Sequence, residues 1–469
     1  MNKERIKNLL LVFLIAMNFI LGSRILIDKK LWPSGYNFFS NMGNWEITKI
    51  YTSIKNYFID ETIYKSRFLS PEKIIINTGD QTTRLSLNPA DSEFDGILEE
   101  AYLVMQKAFS DDTNNIALIT REEFYSALGS SSVYLEYSAI YTPELFARLI
   151  GTTSDIILDI PNGFSQVVIS YSPKTCVYIT DSSNDLFYKI TVNKSSESLV
   201  LKLGECVEQR QNNHAIINYS FDLKFDQPFG TQKTTISPFV QIYSTAEEYP
   251  VINSKNPILN SDETVNEDIV DAILKVFDIN PNTMSRYTEA GGTAVFVENN
   301  ATLKIDKNGY LEYEATNATL ASNELNDEYS LISTVSSMAD GVNKAIKNEN
   351  AMCLSEVYSS FDGIVALDYM AGGFRVKLES DLISHGVVAE IKNGQLKSYK
   401  QLIRCYEVTG KNSLPMEFFQ ALDSAILEYS KSMNEINIDK MSIGYIDNAN
   451  GGEKNAEWIV NVDNVIVGE

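Results

Sequence analysis

The sequence predicts an α+β protein, in which an N-terminal single transmembrane helix is followed by an exported multi-domain body of antiparallel sheets packed with helices. Three observations carry this expectation. An apolar run from Leu9 to Gly22 has Lys3, Arg5 and Lys7 before it and Arg24 after it. No second apolar run of comparable length follows. The remainder switches between short stretches with apolar residues at every second position, the spacing of strands, and stretches with apolar residues every three to four positions, the spacing of helices.

Continued through Ile25, Leu26 and Ile27, the apolar run reaches 19 residues. That is about 28 Å at a ~1.5 Å helical rise, close to the ~30 Å hydrocarbon thickness of a bilayer. Arg24 can snorkel to the headgroups. A cleaved secretory signal also fits a basic start followed by 14 apolar positions. Against cleavage, no small-x-small pair follows the run: Leu21 stands two before Ser23 and Ile20 two before Gly22. No cysteine follows it to suggest a lipoprotein. Arg24, Lys29 and Lys30 match the preceding basic residues in number, so the positive-inside rule does not set the orientation. A short basic N-terminus normally stays in the cytoplasm while the remainder is exported. Residues 1–31 are therefore read as cytoplasmic N-terminus and anchor, and residues 32–469 as extracytoplasmic.

The whole chain has 39 basic and 62 acidic side chains. Residues 1–31 hold six of the basic and two of the acidic ones, so the rest, with 33 basic and 60 acidic, carries −27. This balance argues against nucleic acid as a partner, because phosphates require stripes of Lys and Arg, and against lying flat on anionic lipid. With 44% apolar and 11% aromatic residues the chain is far from a disordered composition. Cys176, Cys206, Cys353 and Cys405 are widely spread, with no CxxC and no metal-type spacing. They read as small buried hydrophobes, although Cys176 with Cys206, or Cys353 with Cys405, could pair in an oxidising exterior.

In chain order, Leu31 to Gly43 reads as a short tether. Strands are expected at Lys73 to Asn77, Ile116 to Thr120, Val133 to Ile140, Asp155 to Ile160, Val167 to Tyr171 and Thr175 to Thr180. Helices are expected at Glu93 to Phe109, after Asp91 or Ser92 as N-cap, and at Ser198 to Gln209, with alternation returning over Ile216 to Phe225. Residues 32–245 thus form one α+β unit, bounded by the Pro- and Asn-containing passage from Tyr249 to Asn260. A middle unit, 246–405, starts with a helix over Asn266 to Phe277. Strands at Thr293 to Glu298 and Ala301 to Asp306 follow, then a hairpin turn at Asp306-Lys307-Asn308-Gly309 into Tyr310 to Ala315. A helix-then-strands pattern then runs twice. The first copy has a helix at Tyr329 to Ile346 and strands near Ser355 to Phe361, Val365 to Tyr369, Phe374 to Leu378, Val387 to Ile391 and, past a turn at Lys392-Asn393-Gly394, Leu396 to Ile403. The second, residues 406–469, has a helix opened by Pro415 at its first position and strands at Met441 to Ile446, Glu457 to Val462 and Val465 to Val467.

Chemistry-bearing motifs are sparse. The only histidines are His214 and His385, and HExxH, GxSxG, GxGxxG and GxxxxGK are all absent. The one SxxK match, Ser70 to Lys73, contains Pro71 and opens a strand, which suits a turn better than an acylated serine. Asp447, Asn448, Asn450, Gly451, Gly452 and Glu453 superficially resemble a calcium loop, but Ala449 and Gly451 fall where ligands are required, and a polar hairpin tip accounts for them. No catalytic residue, cofactor or metal site is nominated.

Arg286 to Glu314, reading RYTEAGGTAVFVENNATLKIDKNGYLEYE, resembles the YycH family of membrane-anchored regulators found with the essential cell-wall sensor kinase of low-GC Gram-positive bacteria. Ala456 to Val462, AEWIVNV, is similar to the sister family YycI. Residues 283–316 and the C-terminal end carry most of the resemblance, whereas residues 32–240 match only in general character. It implies a non-enzymatic regulator whose transmembrane helix contacts the helices of the sensor histidine kinase, and whose ectodomain pairs with a YycI-like sister regulator, chiefly through residues 246–469. The competing reading is an exported, membrane-tethered binding protein for a wall polymer or small ligand, which would have a deep pocket between domains. An enzyme with dispersed carboxylates would leave no sequence signature.

Within the anchor, Leu11, Leu14, Ile15, Asn18 and Gly22 share one helical face. Lipid offers the Asn18 amide no partner, whereas a neighbouring helix does, and Gly22 lets that helix approach. The plain alternative is that Asn18 is merely tolerated, since one interhelical hydrogen bond contributes only ~0.6–2 kcal/mol. Asn18→Leu combined with Gly22→Leu is expected to preserve insertion and weaken association with the kinase's membrane segments. If that variant associates as the parent does while substitutions at Phe13 and Ile20 disrupt association, the face is wrongly assigned.

Overall fold

Burial at four consecutive positions, Ile74 to Asn77 of Lys73-Ile-Ile-Ile-Asn-Thr, places the first strand inside a sheet covered on both faces. The computed structural model describes residues 67–462 except 80–83, 111–115, 153–159, 161–162, 182–184, 193–195, 211–216, 232, 245–246, 261–263, 290–291, 299–300, 316–327, 359–362 and 393–394. The anchor with Leu11, Leu14, Ile15, Asn18 and Gly22, the tether, His214, the strand expected at Asp155 to Ile160 apart from Ile160 itself, Asn393 and Gly394, and the strand at Val465 to Val467 lie outside the described residues. Among the described residues no helix is long and apolar enough to cross a membrane.

The first sheet contains β1 (Lys73–Thr78), β2 (Arg84–Leu87), β3 (Ile116–Ile119), β4 (Ser131–Tyr141), β5 (Phe164–Ser170), β6 (Cys176–Asp181) and β7 (Leu186–Thr191), in the order β2-β1-β4-β5-β6-β7-β3 with antiparallel neighbours. Four helices accompany it: α1 (Phe94–Ser110), α2 (Arg121–Leu128), α3 (Pro143–Leu149) and α4 (Glu197–Arg210). Ile75, Tyr134, Val168 and Tyr178 lie in register across β1, β4, β5 and β6 and form one face. Phe124 of α2 packs on that face with Phe187 and Phe239. The alternate positions, Ile76, Val133 and Ile169 among them, are equally buried, so both faces are covered. Helix α1 follows the expected spacing, and Lys202 and Arg210 of α4 tie it down through the Gly96 carbonyl (3.0 Å) and Glu93 (2.8 Å).

The remaining strands are β8 (Ile217–Tyr219), β9 (Thr235–Ile236), β10 (Gln241–Tyr243), β11 (Tyr249–Lys255), β12 (Ser285–Thr288), β13 (Ala294–Glu298), β14 (Ala301–Ile305), β15 (Tyr310–Ala315), β16 (Met352–Tyr358), β17 (Gly363–Ala371), β18 (Phe374–Leu378), β19 (Val387–Lys392), β20 (Gln395–Leu402), β21 (Cys405–Ser413), β22 (Asn437–Asp447), β23 (Gly452–Lys454) and β24 (Ala456–Val462). Helices α5 (Glu267–Val276), α6 (Glu328–Ala345) and α7 (Phe418–Tyr429) lie among them in the chain. A large sheet runs β12-β13-β14-β15-β20-β19-β17-β18-β22-β24, with β16 added on β17 and β9 on β22. Both helix-then-strands copies feed this one sheet.

The α+β reading and most elements agree with the sequence-based expectation, and four of the expected features differ. The sheets are not wholly antiparallel: β22 runs parallel to β18 (Val376↔Tyr445) and to β9 (Ile438↔Ile236). Tyr249 to Asn260 is not only a connecting passage, since β11 pairs with β21 and β23. The alternation over Ile216 to Phe225 stops after β8, where Ser220–Leu223 form a 3-10 turn. Pro415 lies outside α7, whose first helical residue is Phe418 after Glu417, because the Met416 carbonyl is instead taken by the Trp458 indole N–H at 2.7 Å.

The hairpin turn at Asp306 to Gly309 is built as predicted. The Asp306 carboxylate accepts from the backbone N–H groups of Asn308 and Tyr310 at 2.8 and 2.9 Å, and Gly309 adopts φ +85°. Buried Arg404 donates to the Asn308 and Ala449 carbonyls, both at 2.7 Å, fixing this tip against the turn after β22. A Cβ on Gly309 would stand 2.8 Å from Arg404 Nη1 and 2.9 Å from the Ile403 carbonyl oxygen. Gly309→Ala is therefore expected to destabilise the chain by about 1–3 kcal/mol, read as a lower urea midpoint at unchanged slope; an unchanged midpoint refutes the assignment.

Candidate functional site

Two features of the described residues are candidates for function: a buried seam of charges and an exposed apolar face. The seam starts at β1. Glu72 immediately precedes that strand, and Lys73 pairs with Glu136 on β4. Lys440, on β22 of the large sheet, places its ammonium 2.5 Å from Glu72 and 3.7 Å from Glu136. Lys73 donates to Gln241 at 2.7 Å, and the Gln241 amide donates to Glu136 at 3.3 Å. Burial alone would raise the Glu72 pKa, but Lys440 and Arg375 outweigh it and hold the carboxyl at about 2. Burial likewise opposes the Lys440 charge, and Glu72 with Glu136 raises its pKa instead.

The seam continues into the β16 to β19 region. Arg375 donates through Nε to Asp368 at 2.6 Å and also reaches Ser355. Asp368, buried, further accepts from the Gly386 N–H at 3.3 Å and faces His385 Nδ1 at 3.1 Å. Desolvation would raise the Asp368 pKa, and Arg375 with His385 lowers it. A carboxylate orienting a histidine is half of a hydrolytic triad. The other half is missing here: His385 Nε2 faces the Glu356 carboxylate at 3.7 Å, and Ser355 is engaged by Arg375. Among the described residues no group of three His, Cys, Asp or Glu side chains could hold a metal ion.

The other residues weighed in the sequence are likewise accounted for. Lys73 of the SxxK match opens β1 and serves the seam. Asp447 is saturated by Ser254 (2.7 Å), Tyr406 (3.0 Å) and the Ala449 N–H (3.0 Å), and Asn448 accepts from Lys454 at 3.0 Å, as in a polar hairpin tip. All four cysteines are free thiols, and burial pushes the Cys353 thiol up to about 12. A 660 Å³ recess lined by Tyr171, Lys174, Thr175, Glu197 and Leu201 sits between the β5–β6 turn and the start of α4. It lies within one sheet and its helix, not between domains as the ligand-binding reading requires.

The apolar face belongs to α7. Its inner side packs Phe418, Ala421 and Leu422 on Ile438 and Met441 of β22. Trp458 of β24 stands edge-on to Phe418 at 5.3 Å, and Tyr243 lies 6.2 Å beyond it. On the outer side Phe419 and Leu427 are exposed, as are Leu414 and Met416 in the segment that leads into the helix. The apolar residues of the helix expected after Pro415 are thus divided between core, Phe418 and Leu422, and surface, Phe419 and Leu427. The seam left no sequence signal, since Glu72 and Lys440 lie 368 positions apart.

Replacing Glu72 tests the seam. A carboxyl held at about 2 against an ordinary 4.5 stabilises the fold above the ordinary value and loses that contribution as pH falls through 2, a difference of about 3 kcal/mol. Glu72→Gln is expected to lower stability by that order at neutral pH and to flatten the decline between pH 4.5 and 2 in urea titrations; a parallel pH profile for variant and parent would exclude the linkage.

No family model matches the chain, and no curated protein does. Among solved structures, the chain is similar to the crystal structure of YycH from Bacillus subtilis, with a TM-score of 0.55 and 11% sequence identity over 84% of this chain and 94% of that one. The fold of the described body is therefore that of YycH.

Proposed function

We propose that this chain is a non-enzymatic, membrane-anchored regulator that modulates a two-component sensor histidine kinase controlling cell-wall homeostasis, working beside a YycI-like sister regulator. The observation that carries the reading is the fold likeness to YycH over most of both chains. The predicted anchor and the YycH-like stretch from Arg286 to Glu314, which forms the β12 to β15 meander, support it. The kinase contact runs through the transmembrane helix, with the ectodomain contacts in residues 246–469. A regulator of this kind shifts the kinase only by its difference in affinity for the two kinase states, so small contact changes suffice to set the sign.

Deleting 246–469 is not a clean test, because β9 of the N-terminal half pairs with β22 and Glu72 and Glu136 bond Lys440 of that region. The intact chain is the proper subject. Full-length protein is expected to co-purify from mild detergent with a sensor kinase encoded beside it, and loss of its gene to change that kinase's transcriptional output several-fold in either direction. Unchanged output together with no co-purification overturns the proposal.

A further inference from the structure

We infer that the outer face of α7 docks an amphipathic partner helix whose apolar ridge is flanked by lysine or arginine side chains. The inference rests on the partner-binding reading above and adds where the partner sits and what chemistry it carries. Leu414, Met416, Phe419 and Leu427 are 48 to 69% exposed. Phe419 and Leu427 stand two helical turns apart, about 12 Å along the axis, with Asp423 between them on the same stripe. Met416, in the segment leading into the helix, places its sulfur 3.8 Å from the Ser424 hydroxyl, one residue past Asp423, so its side chain lies along the same exposed side as Phe419 and Leu427.

The patch is held from behind. Phe419 stands 5.5 Å from buried Phe418 and 6.0 Å from Phe225, and the Trp458 indole N–H donates to the Met416 carbonyl, holding the backbone there. Aromatic groups already held in place lose little freedom when a partner covers them, which is the property of residues that dominate binding energy.

Charge selects the occupant. Asp423 lies between Phe419 and Leu427 on the exposed stripe, Glu417 and Glu428 belong to the same segment, and no Lys or Arg occurs from Leu414 to Tyr429. A second copy presenting this face would set acids against acids, and an anionic lipid surface would meet the same repulsion. A helix carrying basic residues beside its apolar stripe satisfies both components, packing ridge into groove across α7.

The test uses the full-length chain in non-ionic amphipol with Trp32→Phe and Trp45→Phe, so that Trp458, beside the patch, is the sole tryptophan. Two stapled 18-residue helical peptides are titrated, one of leucine and lysine and a twin of leucine and glutamate. The lysine peptide is expected to shift Trp458 emission saturably and the glutamate twin to leave it unchanged. Phe419→Ser with Leu427→Ser should weaken the titration at least tenfold while circular dichroism stays as in the parent, and Leu427→Ser alone, at a position 69% exposed, should weaken it with melting unchanged. Asp423→Lys with Glu428→Lys should transfer binding to the glutamate peptide. Equal response to both peptides, or a parent-like titration by the double serine variant, overturns the inference. If titration fails while gene loss still alters kinase output, the docking face falls and the regulator reading stands; if titration succeeds and output is unchanged, the converse holds.

Discussion

The ammonium of Lys440 is the contact on which the packing of the two sheets depends. It comes from β22 of the large sheet and sits between Glu72 and Glu136 of the first. Withdrawing three charges from water costs several kcal/mol per ion, recovered only when the ions meet in good geometry. The sheets can therefore close here in one relative position and not in neighbouring ones, which an apolar seam of similar volume would tolerate. Arg375, Asp368 and His385 extend the same requirement into the β16 to β19 region, so register errors there would leave a buried charge without its partner.

A single extra residue makes this geometry possible. The pairing of β22 with β24 shifts between Ile438↔Val462 and Lys440↔Asn461, leaving Asp439 as a bulge. In an unbroken strand, Lys440 would share a face with Ile438 and point into the apolar cluster beneath α7. The bulge inverts the alternation. Ile438 and Met441 both face α7, while Lys440 turns to the acids of the first sheet. One strand thus seats the helix that presents the exposed patch on one face and bonds the other sheet with its opposite face.

Legibility in the sequence followed the range of the interaction. The hairpin at Asp306 to Gly309 and helix α5, capped by Asn266, rest on contacts within a few residues, so their residues announce them. Helices α2 and α3 were missed although Thr120 and Thr142 cap them, because eight and seven residues are too few to show a helical period. Strand β21 was missed because it is largely exposed and polar. The parallel pair β18–β22, the bulge and the seam are long-range facts, set by which strand finds which, and periodicity carries no record of them. The α7 face lay between these cases: its apolar residues were visible, but only packing against β22 and β24 shows which of them stay outside.

Likeness in fold with little identity is what core physics allows, since buried positions accept many substitutions when volume and pattern are kept. The converse applies at the surface. Leu427 is 69% exposed, and Phe419 touches Phe418 and Phe225 with part of its ring while the rest faces outward, so the exposed apolar area at these positions does not stabilise the monomer. Side chains at those positions can change while the sheet, the bulge and the ion pairs stay as they are.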